Sequence, residues 1–302
     1  MNAIEIRNIS KSYGSVTALD DISLSVGRGE LFGLIGPDGA GKTTMFRILA
    51  TLIDPDQGNA TVAGLDIGDS YRSIRSRIGY MPGRFSLYPD LSVRENLNFF
   101  ASLFNVTVAD NHSMIAPIYS QIEPFASRKA GKLSGGMKQK LALCCALIHK
   151  PEVLFLDEPT TGVDAVSRQE FWDMLDTLKA TGITIMVSTP YMDEAVRCDR
   201  AALISHGRIM ATDTPGRLAE FAGDNIYSAA AQEMWPLLLA LREMPDVADC
   251  YTFGATHHLV ATAGFNVAKA TETLHRQGLH DVRINPVKGN IEDMFIRLMK
   301  NG

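Results

Sequence analysis

The sequence lacks the long apolar run that would carry a chain across a membrane. Its most apolar stretch, residues 235–241, falls well short of the roughly 20 residues that a membrane-spanning helix needs. Basic residues are not in excess either, because the formal net charge is −5 and no long basic run occurs. A nucleic-acid partner, which normally needs a basic face, is therefore not expected. Any attachment to a membrane is expected to come through a partner protein.

Cysteine is scarce, and its spacing fits neither a metal site nor a disulfide framework. The four cysteines are Cys144, Cys145, Cys198 and Cys250. The first two lie inside the apolar run 141–148. This position is typical of small buried residues in a reducing compartment.

The N-terminus has no signal-peptide pattern. Residues 1–9 alternate apolar and polar side chains, with isoleucine at positions 4, 6 and 9. Such alternation predicts a half-buried strand and not the continuous apolar segment of a cleaved leader.

With 302 residues, the chain has the length of about two domains. Residues 1–223 alternate strand and helix patterns, and the runs 31–35, 153–156 and 183–188 are apolar enough to be strands buried on both faces. The stretch of about 84–150 is mostly helical in pattern. These features predict an α/β core that carries a helical insertion.

Residues 224–302 have a different character. Their predicted elements are a strand at 226–229, a helix at 233–244, a strand pair within 250–261, a helix at 265–277, a strand at 282–286 and a helix at 291–299. The order βαββαβ plus a final helix predicts a small α+β domain of the ferredoxin-like kind.

A glycine-rich loop follows the first buried strand and precedes a helix predicted at about 42–50. It matches the pattern G-x-x-x-x-G-K-[ST], which lets backbone N–H groups converge on phosphate oxygens. Lys42 would place a cation on the β- and γ-phosphates, and the Thr43 hydroxyl would ligate Mg²⁺. A chance glycine loop is the alternative. The predicted ATP-binding residues of the loop are Gly36, Pro37, Asp38, Gly39, Ala40, Gly41, Lys42, Thr43 and Thr44.

Two acids end the second buried strand. Asp157 would hold Mg²⁺ through water, and Glu158 would act as the catalytic general base that polarises an attacking water. Acids at a strand end are common by themselves, but they become informative beside a phosphate-binding loop.

A third motif, Ser134, Gly135 and Gly136, opens an apolar-faced helix. A hydroxyl and free N–H groups at a helix start can face an anion, although a plain capped helix is the alternative. The loop at 36–44 already fills this role for its own nucleotide. The second motif therefore serves another nucleotide or none.

Taken in order, the runs 36–44, 133–137 and 156–164 resemble the nucleotide-binding subunit of an ABC transporter, in particular bacterial drug-export ATPases that drive type-2 ABC permeases. The resemblance covers about residues 3–222, and the run 291–296 is similar to the tail of such ATPases. It implies a RecA-like P-loop NTPase core with an antiparallel β subdomain and the helical insertion. Since no internal repeat occurs, a second cassette is not expected in this chain.

The resemblance also implies a mechanism that needs two cassettes, each ATP with its Mg²⁺ lying between the loop of one and the Ser134–Gly136 motif of the other. Tyr13 would stack on adenine, the alternative being a half-buried tyrosine at a strand end. Asp164 would lie in the loop that couples the two sites. Permease subunits would hold the chain at the cytoplasmic face of the inner membrane.

Two positions depart from the family pattern. Gly83 stands where the family has a glutamine that touches Mg²⁺ and water, and Pro190 stands where it has a histidine that contacts the γ-phosphate. Asp38, where asparagine is commoner, is assigned no separate role. The departures predict a degenerate site that binds ATP and turns it over poorly, and hence a heterodimer with a regular cassette. The alternative is drift within a site that still hydrolyses slowly.

Other readings remain open at the level of sequence. The chain could be a regulatory ABC subunit without useful hydrolysis, or a soluble ABC protein outside transport. The segment 85–95 is the expected permease contact, but Phe85, Leu87, Tyr88 and Leu91 could equally be core. The 224–302 domain could serve dimer contact, regulation or scaffolding, and His257 and His258 are expected to be ordinary surface histidines.

Overall fold

The computed structural model describes residues 2–84, 86–223 and 225–301. The chain divides into two compact units, residues 1–215 and 216–302. This division precedes the predicted boundary at 223, since Arg297 Nη1 donates to the carbonyls of Phe221 and Ala222 at 3.2 and 3.3 Å. The assignment of functional domains stays a prediction.

The first unit is built from two sheets and the helices around them. Its strands are β1 (Asn2–Tyr13), β2 (Val16–Gly27), β3 (Leu31–Ile35), β4 (Gln57–Val62), β5 (Leu65–Asp66), β6 (Ile78–Met81), β7 (Val153–Asp157), β8 (Thr184–Thr189), β9 (Arg200–Ser205) and β10 (Arg208–Asp213). Its helices are α1 (Lys42–Leu49), α2 (Tyr71–Arg75), α3 (Val93–Leu103), α4 (His112–Tyr119), α5 (Gly135–Leu147) and α6 (Ala165–Lys179), and α7 (Pro215–Glu220) crosses the division.

The central sheet has six strands in the order β10-β9-β3-β8-β7-β6. Strands β9, β3, β8, β7 and β6 run parallel, and β10 pairs antiparallel at the edge. A second, antiparallel sheet has the order β2-β1-β4-β5. This architecture confirms the predicted α/β P-loop fold with an antiparallel β subdomain.

Side-chain alternation explains why β7 is buried on both faces. Leu154 and Leu156 join the core that includes the helical insertion, whereas Val153 and Phe155 join the core beneath α1. Successive side chains of a strand point to opposite faces, so an uninterrupted apolar run fits only a strand covered on both sides. The predicted buried strands at 31–35, 153–156 and 183–188 are confirmed as β3, β7 and β8.

The segment 85–95 divides between core and surface. Leu87 is buried, while Tyr88 is exposed and packs edge-on against Phe99 with 4.8 Å between the ring centroids. Leu91 is partly buried, and Phe85 lies outside the described residues.

The second unit consists of β11 (Ile226–Ala230), α8 (Met234–Arg242), β12 (Val247–Phe253), β13 (Thr256–Ala261), α9 (Val267–Arg276), β14 (Arg283–Val287) and α10 (Ile291–Asn301). Its antiparallel sheet has the order β12-β13-β11-β14. Numbered within the unit, the strand order is 2-3-1-4, and with the βαββαβ succession it confirms the predicted ferredoxin-like topology.

The expectation of surface histidines in this unit is wrong. His257 and His258 are 3% and 6% exposed, because β13 is a central strand of its sheet. His257 Nε2 lies 2.7 Å from the Met234 carbonyl oxygen at the start of α8, and His258 Nδ1 lies 2.7 Å from Oδ1 of Asp293 in α10. The side chains thus meet different helices, as adjacent strand positions do.

All four cysteines are buried, which confirms the expectation for Cys144 and Cys145. Across the described residues, none of the helices is both long enough and apolar enough to span a bilayer.

Candidate functional site

The glycine-rich loop joins β3 to α1 at the carboxyl edge of the central sheet. Gly41 caps α1 with φ +105°, and a Cβ atom there would overlap the carbonyl of Ala18. A Cβ atom on Gly36 would overlap the carbonyl of Ile204. Both positions therefore require glycine, one for its left-handed backbone and the other for close packing. The loop is held near the sheet with its N–H groups at a helix start, where anions are favoured.

Lys42 is almost fully buried, with 3% of the residue exposed. Its Nζ atom donates to the carbonyl oxygens of Gly36 and Pro37 at 2.8 and 2.9 Å, and it lies 3.0 Å from Oε1 of Glu158. The lysine is thus anchored inside the loop and paired with the predicted general base.

The two predicted acids lie at the end of β7 and differ in their surroundings. Asp157 is 2% exposed, and its Oδ1 atom accepts hydrogen bonds from Thr43 Oγ1 at 3.2 Å and Ser188 Oγ at 2.8 Å. Glu158 is partly exposed and has the left-handed φ of +50°, which is strained for a residue with a side chain. Its N–H group donates to both the carbonyl oxygen and Oγ of Ser188, at 3.1 and 3.0 Å.

Burial dominates the electrostatics of Asp157. Loss of water around the carboxylate raises its pKa, and the neighbouring charge of Glu158 adds to this effect. The hydrogen bonds from Ser188 and Thr43 and the charge of Lys42 oppose it. The net result is a pKa above the ordinary 3.8 of aspartate.

Thr43 and Asp157 are suited to hold a divalent cation. Their oxygens, a hydroxyl and a carboxylate, lie 3.2 Å apart beside the loop. Mg²⁺ prefers oxygen ligands of these kinds and keeps several waters, so few protein ligands suffice. The donor set therefore fits Mg²⁺.

Gly83 lies next to these acids. A Cβ atom at Gly83 would be 3.0 Å from the Asp157 carbonyl oxygen and 3.8 Å from Glu158 Cβ. A small cavity of about 160 Å³ lies here, and its lining includes Gly83, Glu158, Gly135 and Gln139. The Oε1 atom of Gln139 is buried and has no hydrogen-bond partner among the described residues.

Pro190 directly follows β8, two residues after Ser188. It offers neither a side-chain donor nor an N–H group. The next N–H group, that of Tyr191, donates to Thr189 Oγ1 at 3.1 Å.

The Ser134–Gly136 motif opens α5. Ser134 Oγ accepts the N–H group of Met137 at 3.3 Å, so the serine is a helix N-cap. Ser134 and Gly135 are exposed and Gly136 is partly buried. The motif is therefore accessible from outside the chain.

Asp164 caps the next helix, α6. Its Oδ1 atom accepts the N–H groups of Val166 and Ser167 at 3.1 and 3.0 Å, and Oδ2 accepts the Ser167 hydroxyl at 2.8 Å. These bonds, first those from Ser167, lower the pKa of Asp164. Asp164 thus has a local structural role besides the coupling role predicted for it.

Tyr13 ends β1 and is 47% exposed, a value that fits both adenine stacking and the half-buried alternative. The ammonium of Lys11 lies 6.0 Å from the centre of its ring. The ring is accessible to a stacking partner, and its contact with adenine stays a prediction.

Sequence reasoning missed Ser188, the residue that contacts both acids. The available signal was a hydroxyl at the end of the apolar run 183–188. That signal becomes meaningful only once β8 is known to lie beside β7, with Ser188 in register with Asp157.

Comparisons with known proteins give consistent matches to one family. The family profile described as ABC transporter matches residues 19–161. A Nod factor export ATP-binding protein I of Paraburkholderia xenovorans is 36% identical over 307 residues, covering 98% of this chain and 96% of that protein. The daunorubicin resistance ATP-binding protein DrrA2 of Streptomyces coeruleorubidus is 35% identical over 305 residues, covering 98% and 94%.

A probable multidrug ABC transporter ATP-binding protein of Escherichia coli, YbhF, is 38% identical over 303 residues. The match covers 99% of this chain but only 51% of YbhF, so the chain spans about half the length of that relative.

Solved structures of ATP-binding cassettes share the fold. The ATP-binding subunit of an ABC transporter superposes with a TM-score of 0.65 at 28% identity, covering 72% of this chain and 92% of that one. The dimeric bacterial cassette MJ0796 gives a TM-score of 0.64 at 25% identity, covering 70% and 98%.

Proposed function

The chain belongs to the ATP-binding subunits of the ABC transporter family, a family of ATPases, and we propose that it binds and hydrolyses ATP to drive export through separate permease subunits. The observation that carries the proposal is the constellation of Lys42, Thr43, Asp157 and Glu158 at one edge of the central sheet. A phosphate-binding loop, a metal-binding pair and a base are the parts that phosphoryl transfer to water requires.

Each part has a distinct task in this proposal. The N–H groups of the loop and the Lys42 ammonium bind the phosphates, while Thr43 and Asp157 hold Mg²⁺. Bound Mg²⁺ would neutralise charge that develops on the phosphates. Glu158 accepts the proton of the attacking water at its carboxylate. Its partial exposure leaves that carboxylate accessible to water.

Hydrolysis at this site is proposed to be weak. Gly83 and Pro190 supply no side-chain hydrogen-bond donor for the attacking water or the γ-phosphate. Removing a single donor that stabilises developing charge costs on the order of 10²–10³ in rate. Binding residues and base are retained, so ATP would remain bound for long periods.

This asymmetry favours a heterodimer. The Ser134–Gly136 motif is intact, and its Ser134 and Gly135 are exposed, so it can complete the site of a partner cassette. Pairing with a regular cassette would keep one fully equipped site, whereas a homodimer would carry two weak ones. Purification of the chain alone as an ATP-bound homodimer with robust ATPase activity would contradict this pairing.

An apolar groove supports the proposed permease contact. It has a volume of about 210 Å³ and its lining includes Leu52, Leu87, Phe100 and Leu103. Leu52 and Leu103 are 52% and 57% exposed. Exposed leucines beside a groove are typical of a protein contact, and a short apolar helix of a permease loop is the proposed occupant.

The exported substrate is proposed to be a drug-like or lipophilic compound, because relatives are named for multidrug transport, Nod factor export and daunorubicin resistance. Attachment to permeases would hold the chain at the cytoplasmic face of the inner membrane. The ferredoxin-like unit is proposed to serve dimer contact or regulation, with scaffolding as the alternative.

A second candidate function, a nucleotide-binding regulatory subunit, is favoured by the missing donors at Gly83 and Pro190. Glu158→Gln separates the two. In the assembled transporter, an exporter ATPase should lose ATP hydrolysis contributed by this chain, and transport should slow. Unchanged hydrolysis and unchanged transport would instead assign a regulatory role.

A further inference from the structure

We propose that Ser188 is a positioning residue that fixes the metal-binding carboxylate of Asp157 and the backbone of Glu158 for hydrolysis. The inference rests on the proposed ATPase function and adds a residue to it. Ser188 is fully buried on β8 and lies in register with Asp157 on β7. Its hydroxyl therefore sits between the two acids and is shielded from water.

The Ser188 hydroxyl accepts one hydrogen bond and donates another. It accepts the N–H group of Glu158 at 3.0 Å and donates to Asp157 Oδ1 at 2.8 Å. A backbone N–H can only donate, so the serine proton is committed to Asp157. The donor and the acceptor of both hydrogen bonds are therefore unambiguous.

The bond to Asp157 orients the carboxylate. Thr43 and Ser188 both donate to Oδ1, from α1 and β8 respectively. Two donors on one oxygen fix the rotation of the carboxylate toward the loop. Carboxylate oxygens are preferred ligands of Mg²⁺, so the orientation of Asp157 decides how its carboxylate meets the metal.

The bond to Glu158 acts on a strained backbone. The φ of +50° at Glu158 is a conformation that side-chain-bearing residues rarely adopt. Its N–H group is held by both the carbonyl oxygen and the hydroxyl of Ser188. Because the direction of the Cα–Cβ bond follows from the backbone, these bonds set the direction in which the side chain of the base leaves the chain.

Another hydroxyl of the same strand provides a matched control. Thr184 is 2% exposed near the opposite end of β8, and its Oγ1 atom accepts the N–H group of Gly29 at 3.0 Å. Thr184→Val removes a buried, hydrogen-bonded hydroxyl from β8 without touching the acids.

The test measures ATP hydrolysis by the full chain as Ser188→Ala, Ser188→Cys and Thr184→Val, with thermal unfolding recorded for each. Ser188→Ala is expected to lower kcat about tenfold or more, since loss of a charged hydrogen bond has about this effect on a rate, and to raise the Mg²⁺ concentration for half-maximal rate. The KM for ATP should change little. Ser188→Cys keeps a weak donor and should be intermediate.

Thr184→Val should keep the wild-type kcat and Mg²⁺ dependence. If Ser188→Ala also keeps both, Ser188 is only structural and the proposal is overturned. If this chain contributes no ATP hydrolysis even in the assembled transporter, the ATPase proposal fails separately. Binding of Mn²⁺ with a non-hydrolysable ATP analogue then decides: weaker Mn²⁺ binding by Ser188→Ala supports the positioning role, and equal binding refutes it.

Discussion

The Nζ atom of Lys42 lies 3.0 Å from Oε1 of Glu158, so the cation assigned to phosphate is paired with the base assigned to water. The lysine side chain is 2% exposed and the glutamate side chain 22%. A pair this sheltered is screened less than a surface pair. Binding of nucleotide phosphates to Lys42 must therefore compete with Glu158, and the exchange releases the carboxylate to act on water.

Glu158→Gln is expected to separate binding from hydrolysis. The amide no longer competes as an anion for Lys42, so ATP should bind at least as tightly as to the wild-type chain. Hydrolysis should fall by roughly 10²–10⁴, the usual contribution of a general base. Fluorescent-nucleotide titration and phosphate release measure the two quantities.

Glu152→Gln is the control for that substitution. Glu152 precedes β7 at its other end and pairs with Arg28 and Arg77 at 3.7 and 3.4 Å on the surface. It should change neither binding nor hydrolysis. Weaker ATP binding by Glu158→Gln would contradict the competition between carboxylate and phosphate.

Restoring the side chains that the family has at positions 190 and 83 should raise kcat by different amounts. Pro190→His adds a donor at the end of β8 and is expected to raise kcat, by up to about 10²–10³ if its donor reaches the γ-phosphate. Gly83→Gln should gain less, because its Cβ atom would be 3.0 Å from the Asp157 carbonyl and the β7 end would have to shift. Steady-state hydrolysis by each single variant measures the difference. A larger gain in kcat from Gly83→Gln would contradict this expectation and show that the end of β7 shifts at little energetic cost.

The parts of this molecule that sequence predicts are local ones. A glycine pattern, an apolar run and a following helix fix the loop around Lys42 without reference to the rest of the chain. The role of Ser188 depends instead on β8 lying beside β7, and the burial of His258 depends on β13 being central in its sheet. Strand order is a property of tertiary packing, so neither role follows from spacing along the chain.

The close approach of the Asp157 carbonyl to Gly83 could not be predicted from the sequence either. An absent glutamine predicts a missing contact, but only the structure reveals how close the Asp157 carbonyl lies. The pairing of Lys42 with Glu158 is of the same kind, since residues far apart in sequence meet at one sheet edge.

The metal dependence of hydrolysis should vary with pH through Asp157. Burial raises the pKa of this carboxyl above the ordinary 3.8, so on acidification it takes up a proton earlier than an exposed aspartate does. The Mg²⁺ concentration for half-maximal rate is therefore expected to increase as the pH is lowered through the acidic range. Mg²⁺ titrations of the hydrolysis rate at stepped pH values measure this.

The contribution of Asp157 to the free energy of unfolding should move in the opposite direction. An acid with a raised pKa in the folded state binds its proton more tightly there, so protonation of Asp157 favours the fold as the pH falls. Asp157→Asn should weaken Mg²⁺ binding. The Mg²⁺ concentration for half-maximal rate should then no longer respond to pH through this residue. A wild-type Mg²⁺ requirement that is constant down to the ordinary aspartate range would refute the raised pKa.

Asp293 is expected to hold the final helix to the sheet of the second unit. Its Oδ1 atom accepts the Tyr251 hydroxyl at 2.8 Å and lies 2.7 Å from His258 Nδ1, and Oδ2 accepts the N–H group of Asn290 at 2.9 Å. Asp293→Ala would leave several buried polar groups unsatisfied, each costing about 1–3 kcal/mol.

Denaturant unfolding of the full chain should show a destabilised transition for this unit in Asp293→Ala. Glu272→Gln, an exposed change on α9, should not destabilise it. ATP binding by the first unit, whose loop and acids lie within residues 1–215, should persist in Asp293→Ala. Loss of ATP binding together with the unfolding of α10 would show that the two units fold as one, and the separate roles proposed for them would then fail.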